Sequence, residues 1–162
     1  MIALVQRVRQ AHVEVAGRTV GAIGRGLLVF VCAEPHDDAA SAARLVAKLL
    51  KLRIFADDAG KMNRSVQDAA GGLLIVSQFT LAADTSGGNR PSFTGAAPPK
   101  LGRRLYECVV EHARAAHPIV AAGDLRRDVL RDVDLALVLL LAVGVRAVDH
   151  HPGAEPGRGQ LL

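Results

Sequence analysis

Through the first third of the chain, apolar positions alternate with polar ones or run together over short stretches. Ile2–Val8, His12–Val15 and Thr19–Ile23 each read as a strand, and Ala16-Gly17-Arg18 reads as a tight turn between the last two. Gly26 to Ala33 is a continuous apolar run, the pattern of a central strand. Cys32 within it reads as a small core residue. The period then changes. Asp37-Asp38 supplies a helix-capping signal, and Ala42, Leu45, Val46, Leu49 and Leu50 follow at three- and four-residue spacing, which predicts a helix. Leu52–Ala56 predicts a short strand, Asp57–Lys61 a polar turn, and Leu73–Leu81 a strand that starts apolar and ends polar. Residues 84–99, rich in Gly, Ser, Asn and Pro, read as loop. A second helix is expected from about Pro98 to Ala115, with Leu101, Leu105, Cys108, Val109 and His112 on one face. His117–Ala121 adds a further strand. The order of elements is that of an α+β fold, a sheet or barrel-like core with helices packed on it.

Composition narrows this picture. At 162 residues, half of them hydrophobic and 22% charged, the chain has the make-up of one globular domain. The longest apolar run, Leu135 to Val145, is about half the ~20 residues that a membrane-spanning helix needs, so no membrane partner is expected. The opening residues lack the pattern of a secretory signal, and two cysteines make neither a disulfide framework nor a zinc cluster. A cytoplasmic location follows as the expectation. Residues 1–122 carry fifteen Lys and Arg against ten Asp and Glu, a mild positive balance that fits either an anionic partner or an ordinary surface. With aromatics at 3% and no Trp, a stacking platform for single-stranded nucleic acid has little support, and no DNA partner is expected.

Candidate chemistry is sparse. The six histidines have no HExxH or paired-cysteine spacing, which speaks against a histidine-based metal site. There is no GxSxG elbow. Gly21, Gly24 and Gly26 lie between two strand-like runs rather than before a helix, so they read as turn residues and not as a phosphate loop.

The middle of the chain is more specific. Ser77-Gln78-Phe79-Thr80-Leu81, then Asp84-Thr85, then Arg90-Pro91-Ser92-Phe93 with Ala96-Ala97-Pro98-Pro99, resembles the D-aminoacyl-tRNA deacylase family. So do Met1–Val8, Gly24–Leu28, Arg53-Ile54-Phe55 and Gly60-Lys61-Met62-Asn63. The resemblance implies a compact α+β homodimer that hydrolyses the ester between a D-amino acid and the 3′ end of tRNA. It implies glycyl-tRNA, mischarged on alanine tRNA, as a second substrate, and no metal or organic cofactor. An aminoacyl ester is already activated, and the neighbouring ribose hydroxyl can assist the attacking water. The protein then has mainly to orient the ester and stabilise the oxyanion with fixed donors.

By the same resemblance, Phe79 and Thr80 lie at the scissile ester, with Ser77 beside them. Gln78 lies near the terminal adenosine, Leu81 lines the substrate site, and Arg7 packs near the segment that checks chirality. Thr80 has no evident base close in sequence, which favours substrate assistance over a threonine nucleophile. Each residue also has a plainer role open to it. Ser77 and Thr80 can hydrogen-bond across a strand end, Gln78 can be a surface amide, Arg7 a surface charge and residues 90–93 a rigid loop. A lone Phe on an apolar strand, as Phe79 is predicted to be, is usually core.

The likeness is expected to stop near Gly123. The family's ending, approximately Asn-x-Gly-Pro-Val-Thr, inserts a Gly-Pro peptide into the partner's pocket and leaves no room for an L side chain. None of the sixteen glycines here precedes a proline. Residues 1–122 thus read as a deacylase-like domain. Residues 123–162 read as a divergent segment, with a disordered tail from about 149. A reading-frame shift would produce such a break. The alternation of Val129, Arg131, Val133, Leu135 and Leu137 would still supply a strand. Two alternatives remain open: a catalytically inactive dimeric scaffold or tRNA-end-binding remnant, and a relative of the editing domain of archaeal threonyl-tRNA synthetases.

Overall fold

A computed structural model describes residues 1–123 together with the backbone of residues 143–146. In chain order the elements are β1 (Ile2–Val8), β2 (Ala11–Val15), β3 (Arg18–Ile23), β4 (Gly26–Cys32), α1 (Ala39–Lys51), β5 (Phe55–Ala56) and β6 (Met62–Arg64). There follow β7 (Gly72–Ser77), a 3-10 turn (Phe79–Ala82), α2 (Pro99–Ala116), β8 (Val120–Ala122) and β9 (Val143–Arg146).

Five strands form one mixed sheet in the order β8-β7-β4-β1-β9. The continuous apolar runs occupy its centre: β4 pairs parallel with β7 and antiparallel with β1, and β7 pairs parallel with β8. Parallel neighbours need crossovers, and α1 and α2 supply them. Each helix leaves from the carboxyl end of a strand, β4 or β7, so both begin at the same end of the sheet. Asp38 caps α1 by accepting from the Ser41 N–H at 2.7 Å, the hydroxyl of Ser41 returns to the Asp38 N–H, and Lys48 and Lys51 sit in the last turn.

The strand period of two gives each face of the sheet its own core. On the helix face, Ala3, Val5, Leu27, Val29, Leu73 and Ile75 meet Leu45, Leu49, Leu105 and Val109. On the other face, the β2–β3 hairpin lays Ala11, Val13 and Ile23 over Val8, Leu28, Leu74 and Val76. The hairpin turns at Ala16 and Gly17, whose positive φ angles of 52° and 74° are those of a two-residue turn matched to strand twist.

The α+β expectation holds in architecture, with three local departures. Leu52 caps α1 and Arg53 bonds Asn63, so the strand expected over 52–56 is reduced to Phe55–Ala56. On α2 the buried stripe is Leu105, Tyr106, Val109, Val110 and Ala113, and His112 is exposed. The helix is rotated toward Tyr106 because its hydroxyl lies 2.9 Å from the Ile75 carbonyl and 3.1 Å from that of Gly123. The strand expected to continue through Leu81 ends at Ser77. The strand expected over 129–137 and the tail from about 149 lie outside the described residues. So does the Leu135–Val145 run, apart from its last three positions in β9.

Candidate active site at the end of the central strands

The last paired residues of β4 and β7 are Val31 and Ser77. One more ladder-like bond forms, from the Gln78 N–H to the Val31 carbonyl at 2.8 Å, and the chain then leaves the sheet. It does so as a 3-10 turn, closed by the Leu81 N–H on the Gln78 carbonyl at 3.3 Å and the Ala83 N–H on that of Thr80 at 3.1 Å. The Gln78 side chain is buried, and its amide donates to the Thr80 hydroxyl oxygen, which fixes both side chains. The first N–H groups of such a turn have no partner within it. Those of Phe79 and Thr80 have no backbone acceptor among the described residues.

Phe79 is 56% exposed and is not core. An apolar strand would have buried it; the 3-10 turn swings it outward instead. Its ring meets Phe93 edge-to-face, with centroids 5.4 Å apart and planes at 72°. Phe93 is held there by its loop, in which Asp84 and Ser92 exchange two backbone hydrogen bonds of 2.8 Å. Hydrogen bonds from the Ser86 backbone and side chain hold the Asp84 carboxyl below its usual range. Further along, the Ala97 N–H bonds the Ala33 carbonyl at 2.8 Å, tying the loop to the exit of β4.

Beneath the turn, the Cys32 sulfur lies 3.6 Å from the Phe79 carbonyl. Burial, and then the charge of Glu34, push its thiol pKa up, so it is a packing and hydrogen-bonding group rather than a ready thiolate nucleophile. Among the described residues no three His, Cys, Asp or Glu side chains converge as a metal site would require.

Ser77, Gln78, Phe79, Thr80 and Leu81 are thus brought together. Ser77 is half-buried at the end of β7, and Leu81 is half-buried in the turn. Arg7 is not with them in this chain. It pairs with Leu27, four residues along β4 from Val31 and so roughly 13 Å away at 3.3 Å per residue, and its guanidinium donates to the Ile54 carbonyl at 2.6 Å. Gln78 is buried and not a surface amide, and one of the two N–H groups of its amide is given to Thr80. Sequence reasoning did not pair Phe93 with Phe79. The signal was there: in a chain with four Phe, two fall beside polar, loop-forming residues.

Comparison with known proteins decides the family. The family model described as D-Tyr-tRNA(Tyr) deacylase matches residues 4–134. The chain belongs to the D-Tyr-tRNA(Tyr) deacylase family. A D-aminoacyl-tRNA deacylase from Variovorax paradoxus is 69% identical over 128 residues, covering 79% of this chain and 88% of that protein. One from Delftia acidovorans is 59% identical over 156 residues, covering 91% of this chain and all of that protein. The deacylase match therefore continues past Gly123, where the likeness was expected to end. A solved structure titled c-Myc DNA Unwinding Element Binding Protein superposes with a TM-score of 0.72 at 36% identity, covering 76% of this chain and 85% of that one. A probable eukaryotic D-amino acid tRNA deacylase superposes at 0.70 with 17% identity, over 78% of this chain and 89% of that one, and shares the fold.

Proposed function

We propose that this protein hydrolyses the ester bond of D-aminoacyl-tRNA, releasing the D-amino acid and free tRNA, and that it accepts glycyl-tRNA mischarged on alanine tRNA. The observation that carries the reading is the turn at Gln78–Leu81: two N–H groups with no backbone acceptor among the described residues, beside a threonine hydroxyl held in place by a buried amide. In this reading the ester carbonyl faces the Phe79 and Thr80 N–H groups. Water adds to the carbonyl carbon, assisted by the neighbouring ribose hydroxyl, and the developing oxyanion is met by those donors. The ester C–O bond then breaks and the ribose oxygen leaves with a proton. Thr80 positions the ester and does not attack it, since its hydroxyl meets no base among the described residues; its partner is an amide.

The site is completed in a homodimer. Ile2, Leu4 and Phe30 stay half-exposed on the sheet, apolar surface suited to a second copy. The protein acts in the cytoplasm on the aminoacylated 3′ end, needs no cofactor, and has neither DNA nor membrane as a partner.

The test is deacylation of matched D- and L-aminoacyl-tRNA in the presence of EDTA, with light scattering for the dimer. Release of the D-amino acid that survives the chelator supports the reading; activity that returns only with added zinc sinks the cofactor-free mechanism. Without a Gly-Pro peptide the chain should discriminate poorly against L substrates, because a site that works by rejection loses selectivity with its rejecting element. Grafting Asn-x-Gly-Pro-Val-Thr after Gly123 should then raise the D-over-L ratio. The alternative of an inactive scaffold predicts no release by the natural chain and recovery in the graft.

A further inference from the structure

The two crossover helices differ in the charges at their starts. α1 follows the helix dipole, with an aspartate cap at its start and Lys48 and Lys51 in its last turn. α2 carries cations at its start as well as its end: Lys100 stands in its first turn, Arg103 and Arg104 follow in the second, its acids, Glu107 and Glu111, come later, and Arg114 lies in the last turn. The cationic start extends upstream. Residues 85–106 contain no Asp or Glu, and their four cations are Arg90, Lys100, Arg103 and Arg104.

This stretch borders the candidate site. It contains Phe93, in contact with Phe79, and it is pinned by the Ala97–Ala33 bond just before α2 begins. Arg103 bonds Glu107 at 2.9 Å. Arg90, Lys100 and Arg104 are exposed, and none makes an ion pair or hydrogen bond among the described residues. Cations placed against the dipole and left without internal partners are suited to an anion from outside. Lys100 and Arg104 share one face of α2, one turn and about 6 Å apart. That is comparable to the separation of neighbouring phosphates on one nucleic-acid strand.

We propose that Arg90, Lys100 and Arg104 form a cationic shoulder that holds phosphates of the RNA strand whose 3′ end enters the site. The inference rests on the deacylase reading for its choice of occupant, and goes beyond it by assigning the contact that recruits the tRNA rather than the one that breaks its ester. Lys and Arg on phosphates give affinity that depends steeply on salt and carries no sequence information.

The experiment compares the natural protein with Lys100→Glu/Arg104→Glu and with a charge-matched control on the other helix, Lys48→Glu/Lys51→Glu. Binding of a fluorescent RNA minihelix with a single-stranded 3′ tail is followed by anisotropy across a potassium chloride series. Loss of two phosphate contacts should weaken binding about tenfold or more at low salt and lower the slope of log Kd against log salt by about 1.4. The control should keep most of both. Thermal melting of the α2 variant should be equal or higher, because its new acids suit the dipole. Activity gives a second arm: the loss should be at least about fivefold larger on D-aminoacyl-tRNA than on D-aminoacyl-adenosine, which has no phosphate. Unchanged affinity and slope in the α2 variant, or equal losses in both variants, would overturn the proposal. If the natural protein hydrolyses neither substrate, the deacylase reading fails while the binding arm still decides this one.

Discussion

At the Gly26 end of the sheet, β4 and β7 approach so closely that a Cβ on Gly26 would lie 2.0 Å from the Gly72 carbonyl oxygen. Around this contact the chain is bonded in every direction. The Gly72 N–H reaches the Arg25 carbonyl and the Leu73 N–H the Ile119 carbonyl, each at 2.9 Å, and the buried His117 ring lies 2.7 Å from the Gly71 carbonyl. At the Cys32 end, five residues along the same strands, the ladder stops, two N–H groups find no backbone acceptor among the described residues and two Phe rings face solvent. The strands are the same; the loops differ. One end uses its polar groups to hold the sheet together, and the other does not. The open end is the carboxyl end of the parallel strands, where α/β crossovers leave a crevice and where ligands are usually received.

This contrast predicts a crossing of phenotypes. Gly26→Val should be the most damaging change to folding, on the order of 3 kcal/mol or more, since backbone and not a flexible side chain stands in the way. Urea denaturation measures it, and a variant within about 1 kcal/mol of the natural protein would mean that the strands can separate at this end. Thr80→Ala should do the reverse, slowing deacylation by up to about a hundredfold through a misplaced ester. Its denaturation midpoint should fall far less than that of Gly26→Val, because Thr80 is half-buried in a solvent-facing turn and its loss costs one hydrogen bond of the Gln78 amide. Equal activity in this variant would remove the turn from the mechanism.

How far the sequence disclosed the two ends follows from what each depends on. The strands and helices were legible because burial imposes a period, and Asp38 and Pro99 mark helix starts with local chemistry. The candidate residues 77–81 were singled out only through the motif resemblance. Their period read as strand, while the turn is set by the Gln78 amide reaching Thr80 and by β4 ending beside them. The contact of Phe79 with Phe93 spans a loop, and no local pattern encodes it. Arg7 carries the same lesson from the other side: the resemblance names it, yet strand register puts it at the far end of the sheet in its own chain.

Between the two ends stands Tyr106, whose hydroxyl ties α2 to the Ile75 and Gly123 carbonyls. Tyr106→Phe should destabilise the fold by about 1–2 kcal/mol, the range for losing a hydrogen bond at a buried site. Activity should fall little, because the hydroxyl serves β7 and β8 before the site begins. A loss of turnover larger than the loss of stability would instead place the hydroxyl in control of the turn.

The smallest expected effect concerns the N-terminus, at the open end. The Met1 ammonium lies between Glu34 and Asp37, 2.8 Å from each carboxylate in its hydrogen bonds. Burial alone would lower its pKa, but the hydrogen bonds and charges of Asp37 and Glu34 outweigh burial and raise it above the ordinary 8.0. The folded state therefore holds this proton more tightly than the unfolded one. Such a contact contributes fully below about pH 8 and is lost as pH rises through the folded value. The melting temperature should accordingly decline on the alkaline side, where other groups titrate too. Asp37→Asn isolates the contact: it keeps the size of the side chain and a carbonyl oxygen for hydrogen bonding but removes the charge. It should melt lower than the natural protein near neutrality, and the gap should narrow as pH climbs past 8. A gap that stays constant across that range would mean that the amine and Asp37 are held together by geometry alone, and that the open end owes none of its order to this ion pair.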